Sequence, residues 1–118
     1  MVAVEPVPAS RPRVTKWGTY YGKRYTQFRK DAKAALDAME LGEPFAGRIS
    51  VHLEFWCKRP KTTKRETPRG DIDNYIKAIL DSCNAVVWDD DDQITKCSAK
   101  KMFEDEHGPR IIITIFTP

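Results

Sequence analysis

The sequence predicts an α+β fold: a single small domain with a mixed sheet of about four strands and two main helices. Two segments place apolar residues at helical spacing, and others alternate apolar and polar residues as half-buried strands do. No internal repeat is visible, and helices and strands do not alternate regularly. The length of 118 residues and the hydrophobic share of 41% suit one domain, residues 1–118, with a modest core.

The elements of the N-terminal half start with a short edge strand at residues 2–7, ended by a pair of prolines. Residues 9–24 mix basic, aromatic and turn residues and are predicted to form a basic loop. Residues 25–41 have helical periodicity, and Gly42 is the expected C-cap. Residues 49–57 alternate with period two, which predicts a strand with one buried face.

The elements of the C-terminal half follow a second basic segment. Residues 58–69 contain six Lys/Arg, two Pro and three Thr, and are expected to form a flexible loop. Residues 73–84 carry an apolar helical stripe. Residues 93–103 and 110–116 are predicted strands, separated by a Gly-Pro turn.

Charge is distributed unevenly along the chain. Residues 1–70 hold 15 basic and 7 acidic side chains, whereas residues 71–118 hold 5 basic and 10 acidic ones. The overall balance of +3 is mild, so the local asymmetry matters more for attracting a polyanion. Carboxylates within a positive surface indicate a metal-dependent nuclease.

The cysteines and the apolar segments indicate a compartment. Cys57, Cys83 and Cys97 lie in apolar stretches without a CxxC motif, which predicts buried free thiols. His52 and His107 lack zinc-ligand spacing to them. No signal peptide or membrane-spanning stretch is visible. We therefore expect a cytoplasmic protein without membrane association or a small-molecule cofactor.

Two acidic segments are the candidate metal ligands. Asp71 and Asp73 stand where the basic loop meets the second helix. In extended chain their carboxylates would share one side, although an N-cap with an acidic first turn is a very common reason for such residues. Residues 89–92 are four aspartates between apolar flanks. A divalent cation such as Mg²⁺ or Mn²⁺ would offset their repulsion, as would water and salt around an exposed loop.

The basic residues have two interpretations as well. Lys77 lies one helical turn after Asp73, where it either forms an ion pair or assists phosphate chemistry. The remaining basic side chains serve either solubility or phosphate contact, with aromatics available to stack on unpaired bases. The candidate DNA-binding residues are Arg11, Arg13, Lys16, Lys23, Arg24, Lys58, Arg59, Lys61, Lys64, Arg65 and Arg69.

These motifs resemble a known family. Residues 69–81 read RGDIDNYIKAILD and residues 86–94 read VVWDDDDQI. They are similar to the DxDNxxKxxxD and DDxQ segments of the RusA family of Holliday junction resolvases. A looser similarity begins near residue 6, so the resemblance covers roughly residues 6–116.

The resemblance implies a RusA-like fold and a homodimeric, Mg²⁺-dependent endonuclease of the kind typical of phages and prophages. Each subunit would nick one of two opposed strands of a branched, four-way DNA junction, leaving 5′-phosphate and 3′-hydroxyl ends. Asp71, Asp73 and Asp91 would be metal ligands and catalytic residues, with Asp90 as the partner of Asp91 and Lys77 as the essential lysine. The run of four aspartates leaves the ligand register open by one position.

The sequence is also compatible with three alternatives. A non-catalytic module that binds branched DNA would use the acidic loop structurally. A restriction-type site would use the DxK sequence of Asp31 and Lys33, although this lies within the first predicted helix. A small metal-binding or regulatory protein would need the acidic residues without the basic loops.

Overall fold

The computed structural model describes residues 1–10, 13–16, 18–20 and 22–118, and combines two helices with a three-stranded mixed sheet. A short hairpin precedes the first helix. In chain order the elements are β1 (Arg13–Thr15), β2 (Gly18–Tyr20), α1 (Lys23–Ala38), β3 (Ile49–Cys57), α2 (Ile72–Cys83), β4 (Ile94–Phe103) and β5 (Arg110–Phe116). The predicted α+β class is confirmed, although the main sheet has three strands rather than about four.

Strand β3 is the centre of the sheet, whose order is β4-β3-β5. It pairs parallel with β4, from Ile49 opposite Ile94 to Cys57 opposite Phe103. It pairs antiparallel with β5. The parallel pairing requires a crossover, which here contains the basic loop and α2. The loop therefore begins at one end of β3, and β4 starts again from the opposite end.

One face of the sheet carries the core. Alternate residues of β3 are buried, as their period-two pattern predicted. Apolar side chains of α1 and α2 join them, and Trp88 is fully buried among these residues. Burial of this apolar surface, at roughly 25 cal/mol per Å², fixes α2 against the sheet and thereby fixes the position of both acidic segments.

Several predicted boundaries differ from the structure. Residues 2–7 contribute a single bridge, Val2 with Ile111, instead of a strand. Residues 9–24, predicted as a loop, contain the β1–β2 hairpin and the start of α1. Helix α1 ends at Ala38 rather than 41, and Gly42 is not its cap. Glu40 already has a positive φ of 49°, so the chain leaves the helix before that glycine.

The cysteine prediction is correct at two of three positions. Cys57 and Cys83 are buried, and Cys97 is exposed. Cys97 lies on β4, an edge strand on which Cys97 and its neighbours in sequence are exposed. Within the described residues, neither helix is long and apolar enough to cross a bilayer.

Candidate active site

The first acidic pair stands at the start of α2. Asp71 occupies the N-cap position in extended conformation, but its side chain makes no capping hydrogen bond. Asp73 is already helical, so the two residues are not in the common extended segment that the sequence suggested. Its carboxylate accepts a hydrogen bond of 3.0 Å from the Asn74 backbone N–H. Both side chains are exposed, and the carboxylate of Asp71 is not occupied by capping.

The second acidic group is held by a turn that Trp88 anchors. The Trp88 indole donates to the side-chain oxygen of Asn84 at 2.9 Å. The Ala85 N–H donates to the Trp88 carbonyl at 2.7 Å, and Ala85 has a φ of 66°. The aspartate run therefore begins directly after the buried Trp88, so it is tied closely to the core, as its apolar flanks predicted.

Gln93 fixes the shape of the acidic turn. Residues Asp91–Gln93 form one turn of 3₁₀ helix with Asp90 at its N-cap, where Asp90 and Gln93 form a reciprocal capping box. The Gln93 carboxamide accepts from the Asp90 N–H at 2.8 Å. It also donates to the carbonyls of Phe45 and Gly47 at 2.9 and 2.8 Å. The glutamine of the DDxQ segment thus ties the turn to the loop before β3.

Carboxylates crowd at this turn. The pKa of Asp91 is raised, first by a hydrogen bond with Asp90, then by partial burial and by the negative charges of Asp90, Asp81 and Asp92. Asp90 also accepts from the Asp92 N–H, so one of its oxygens is used within the turn. Mg²⁺ and Mn²⁺ prefer oxygen ligands and would relieve this repulsion. Asp90 and Asp91 are the oxygen ligands that this turn would offer to such an ion, with Asp91 less engaged in backbone contacts than Asp90.

Lys77 lies between the two acidic groups and forms its ion pair with Asp81, which follows it in the sequence, and not with Asp73, which precedes it. Its Nζ is 3.3 Å from a carboxylate oxygen of Asp81. The ion pair expected with Asp73 is therefore replaced by one with Asp81. An exposed pair of this kind contributes a few tenths of a kcal/mol, so its main effect is to direct the ammonium group toward the acidic turn.

The two acidic groups lie at opposite ends of α2. At about 1.5 Å per residue, Asp73 and Asp81 are about 12 Å apart along the helix axis. Lys101 donates a hydrogen bond to the Gly70 carbonyl directly before Asp71, and the acidic turn directly precedes Ile94. Seven residues of strand separate those positions, about 23 Å at full extension. Within the described residues, no three His, Cys, Asp or Glu side chains are grouped closely enough to hold a metal ion.

The second basic segment forms a loop, as predicted for residues 58–69, and its C-terminal end is held by hydrogen bonds from outside the loop. The Lys101 ammonium donates to the Pro68 carbonyl at 2.8 Å and to the Gly70 carbonyl. The Tyr75 hydroxyl donates to the Arg69 carbonyl at 2.6 Å. The end of the loop is therefore held to β4 and α2, in addition to hydrogen bonds within the loop that join Thr63 to Pro60 and Arg65 to Thr63 and Thr67.

Gly70 completes the junction between this loop and α2. Its φ is +94°, and a Cβ there would lie 3.1 Å from atoms of both Pro8 and Tyr75. A side chain would therefore be strained and crowded at the same time. Because Gly70 has no side chain, the backbone can pass close to Pro8 and Tyr75 immediately before Asp71.

The predicted DNA-binding residues divide into three groups. Arg11 lies outside the described residues, as does the side chain of Arg13, and Lys16 is exposed. Lys23 and Arg24 are exposed in the first turn of α1, where Arg24 is 3.3 Å from Glu5. The six cations of the second basic segment are all exposed: Lys58, Arg59, Lys61, Lys64, Arg65 and Arg69.

Asp31 of the DxK sequence lies on the exposed surface of α1. Its carboxylate accepts a hydrogen bond of 2.9 Å from the Gln27 carboxamide one turn earlier. Asp31 precedes both acidic groups by 40 residues or more in the sequence. Its surroundings are those of a surface helix residue.

Lys101, Tyr75 and Gln93 are the site residues whose positions sequence reasoning did not supply. Gln93 had a signal, because it belongs to the DDxQ segment, but the loop that it binds is 46 to 48 residues distant. Lys101 had none, since a lysine on an edge strand is ordinarily solvated.

Comparison with known proteins places the chain in a family. The family described as "Endodeoxyribonuclease RusA" matches residues 3–116, nearly the whole chain. The chain is also 33% identical over 58 residues to "Uncharacterized protein YqaN" of Bacillus subtilis (strain 168). That match covers 49% of this chain and 39% of the Bacillus protein. The extent of the family match shows that the chain belongs to the RusA family.

Proposed function

We propose that the chain is a Mg²⁺-dependent, structure-specific endodeoxyribonuclease that nicks opposed strands of four-way DNA junctions as a homodimer. The observation that carries this proposal is the pair of acidic groups at the two ends of α2, within a chain of the RusA family. The exposed cations of the second basic segment, which ends at Arg69 close before Asp71, support DNA as the substrate, because they suit a polyanion.

The homodimer is supported by the separation of the carboxylates. Within the described residues of one subunit, no three potential ligands are grouped closely enough to hold an ion. Asp71 lies next to the Lys101 contact and Asp91 lies just before Ile94, and these positions are seven residues apart along β4, so one subunit would not bring these carboxylates to one ion. In a two-fold dimer the same surface patch is used twice. Such a dimer can place the start of one α2 beside the acidic turn of the other subunit. Two equivalent composite sites result, one for each strand of the junction.

Each composite site would take Asp71 and Asp73 from one subunit and Asp91, with Asp90, from the other. A bound divalent cation would lower the pKa of an attached water and offset the charge of the scissile phosphate. Lys77, directed toward the acidic turn by Asp81, is available to donate to a phosphate oxygen as charge develops. The basic loops would hold the junction arms, mainly through phosphates and shape.

The test uses a synthetic four-way junction with Mg²⁺. Paired, symmetric nicks are expected from the wild type, with none from Asp71→Asn, Asp73→Asn or Asp91→Asn. Lys77→Ala should keep its affinity for the junction while nicking falls at least about tenfold. Asp31→Asn is the matched control, because it removes an aspartate from an exposed helix surface and should nick normally.

The competing proposal is a branched-DNA-binding module in which the acidic turn is structural. The absence of a grouped set of three metal ligands in the described part of one subunit is what favours it. Tight junction binding without nicking, in either Mg²⁺ or Mn²⁺, would establish that module and exclude the nuclease.

A further inference from the structure

We propose that a cleft beside Asp71 receives one unstacked nucleotide of the DNA strand, next to the phosphate that is cut. This inference rests on the proposed function and specifies how the substrate strand enters the site. The cleft has a volume of about 370 Å³ and lies between residues 5–8, the second basic segment and the ends of β3 and β4. It is open to solvent on one side.

The walls of the cleft suit a nucleobase. Phe103, Tyr75 and the prolines Pro6, Pro8 and Pro60 contribute its flat apolar surfaces. Its volume is at the low end of the range of roughly 300–1,000 Å³ for small-molecule sites. It therefore has room for one nucleotide but not for a base pair within a duplex. Aromatic surfaces of this kind accept bases without regard to sequence.

The charge of the cleft suits a phosphate. Arg24, Lys58, Arg65 and Arg69 line it, against the single carboxylate of Glu5. Burial raises the pKa of the neighbouring Cys57 thiol to about 11, so that group adds no negative charge at neutral pH. A cleft that combines apolar walls with an excess of positive charge suits a nucleotide better than an apolar peptide or a lipid tail.

The cleft is formed before any ligand arrives. Lys101 and Tyr75 hold the backbone of its outer wall at residues 68–70. The Arg59 guanidinium carbon lies 4.1 Å from the centre of the Phe103 ring, which fixes the aromatic wall through a cation–π contact. A preformed site loses less conformational entropy on binding, so these contacts should increase affinity for the inserted nucleotide.

The position of the cleft connects it with the reaction. Gly70 lines the cleft and is followed directly by Asp71. A nucleotide held there would place an adjoining phosphate beside the first acidic pair. Extruding a base from a duplex costs free energy, and the cost is least where the base is already unpaired. The cleft would therefore favour branch points over continuous duplex.

The experiment combines loss of a base with loss of an aromatic wall. Four-way junctions carry one abasic nucleotide, moved in turn through the positions around the cut. The affinity of wild type and Phe103→Ala for each junction is measured without added metal, and nicking is measured with Mg²⁺. At one position the abasic nucleotide should weaken wild-type binding about tenfold, as loss of one stacked base does. The same abasic nucleotide should change the affinity of the Phe103→Ala variant by less than about twofold.

Two further variants keep the test decisive. Phe116→Ala, an exposed aromatic at the other end of the sheet, should retain the wild-type response. Thr63→Trp fills the cleft without changing its charge and should bind every junction like the abasic one. If no position responds, or if Phe103→Ala and Thr63→Trp respond as the wild type does, the cleft does not bind a base. A positional response without any nicking would support the cleft and refute the proposed catalysis.

Discussion

Replacing Lys101 with Met should release the basic loop while leaving the fold intact. The ammonium group donates to the carbonyls of Pro68 and Gly70. Hydrogen bonds to charged groups contribute about 1.5–3 kcal/mol each. Because both carbonyls can recruit water once the loop opens, the smaller value for the pair, about 1.5 kcal/mol, is the more realistic loss. That corresponds to a rise of about tenfold in the open population of the loop.

Limited digestion with trypsin measures this opening. The loop contains six Lys/Arg residues, and cleavage of a transiently open segment follows its open population. Lys101→Met should be cut within residues 58–70 about ten times faster than the wild type, at an unchanged far-UV circular dichroism spectrum. Lys101→Arg should recover most of the protection, since it restores a charged donor.

Lys100→Met is the matched control for this prediction. Lys100 belongs to the same strand and carries the same charge, but its Nζ lies 4.0 Å from Glu54 on the other face of the sheet. Its loop should be cut at the wild-type rate. Equal digestion rates for the Lys101→Met variant, the Lys100→Met variant and the wild type would show that the loop does not depend on Lys101.

Three further predictions concern stability. Asp91→Asn should raise the melting temperature of the metal-free protein near neutral pH. The raised pKa of Asp91 means that its ionised form destabilises the fold. Thermal unfolding in EDTA measures this effect, and an unchanged or lower melting temperature would contradict it. Gln93→Ala should cost about 2–3 kcal/mol in urea unfolding, since three hydrogen bonds of the acidic turn are lost; a loss below about 0.5 kcal/mol would mean that the turn holds without it. Hydrogen bonds from Arg110 lower the pKa of Asp105 to about 2, so their stabilising effect is complete above about pH 4 and declines toward pH 2. Asp105→Asn should flatten that part of the curve of unfolding free energy against pH. A variant curve parallel to that of the wild type would rule out this role.

The sequence predicted elements with strong periodicity and missed the interactions that join them. The alternation of residues 49–57 gave β3 and its buried face, and the helical stripe gave α2 to within one residue at each end. Residues 2–7 were predicted to form a strand but contribute a single bridge, because a bridge and a short strand have the same local sequence pattern. Helix α1 ends before Gly42 because Glu40 adopts the left-handed conformation, which no local propensity indicates.

For the candidate site, the sequence supplied residue types but not their distances. Asp71 and Asp91 are both evident from the motifs, yet their separation depends on α2 running back along the sheet between them. The anchoring of the end of the loop was missed for a related reason. Its partners, Lys101 and Tyr75, lie outside the loop, and a basic segment rich in Pro and Thr gives no sign of them. Long-range packing therefore decided what local patterns left undetermined.

A mixture of two inactive subunits tests whether each active site is shared between subunits. Asp71→Asn and Asp91→Asn proteins, carrying different tags, are refolded together and the mixed dimer is isolated. If each site takes its carboxylates from both subunits, the mixed dimer contains one intact site and one with both changes. It should then nick a single strand of a four-way junction in Mg²⁺, whereas either variant alone nicks none. A mixed dimer as inactive as its parents would contradict the shared site.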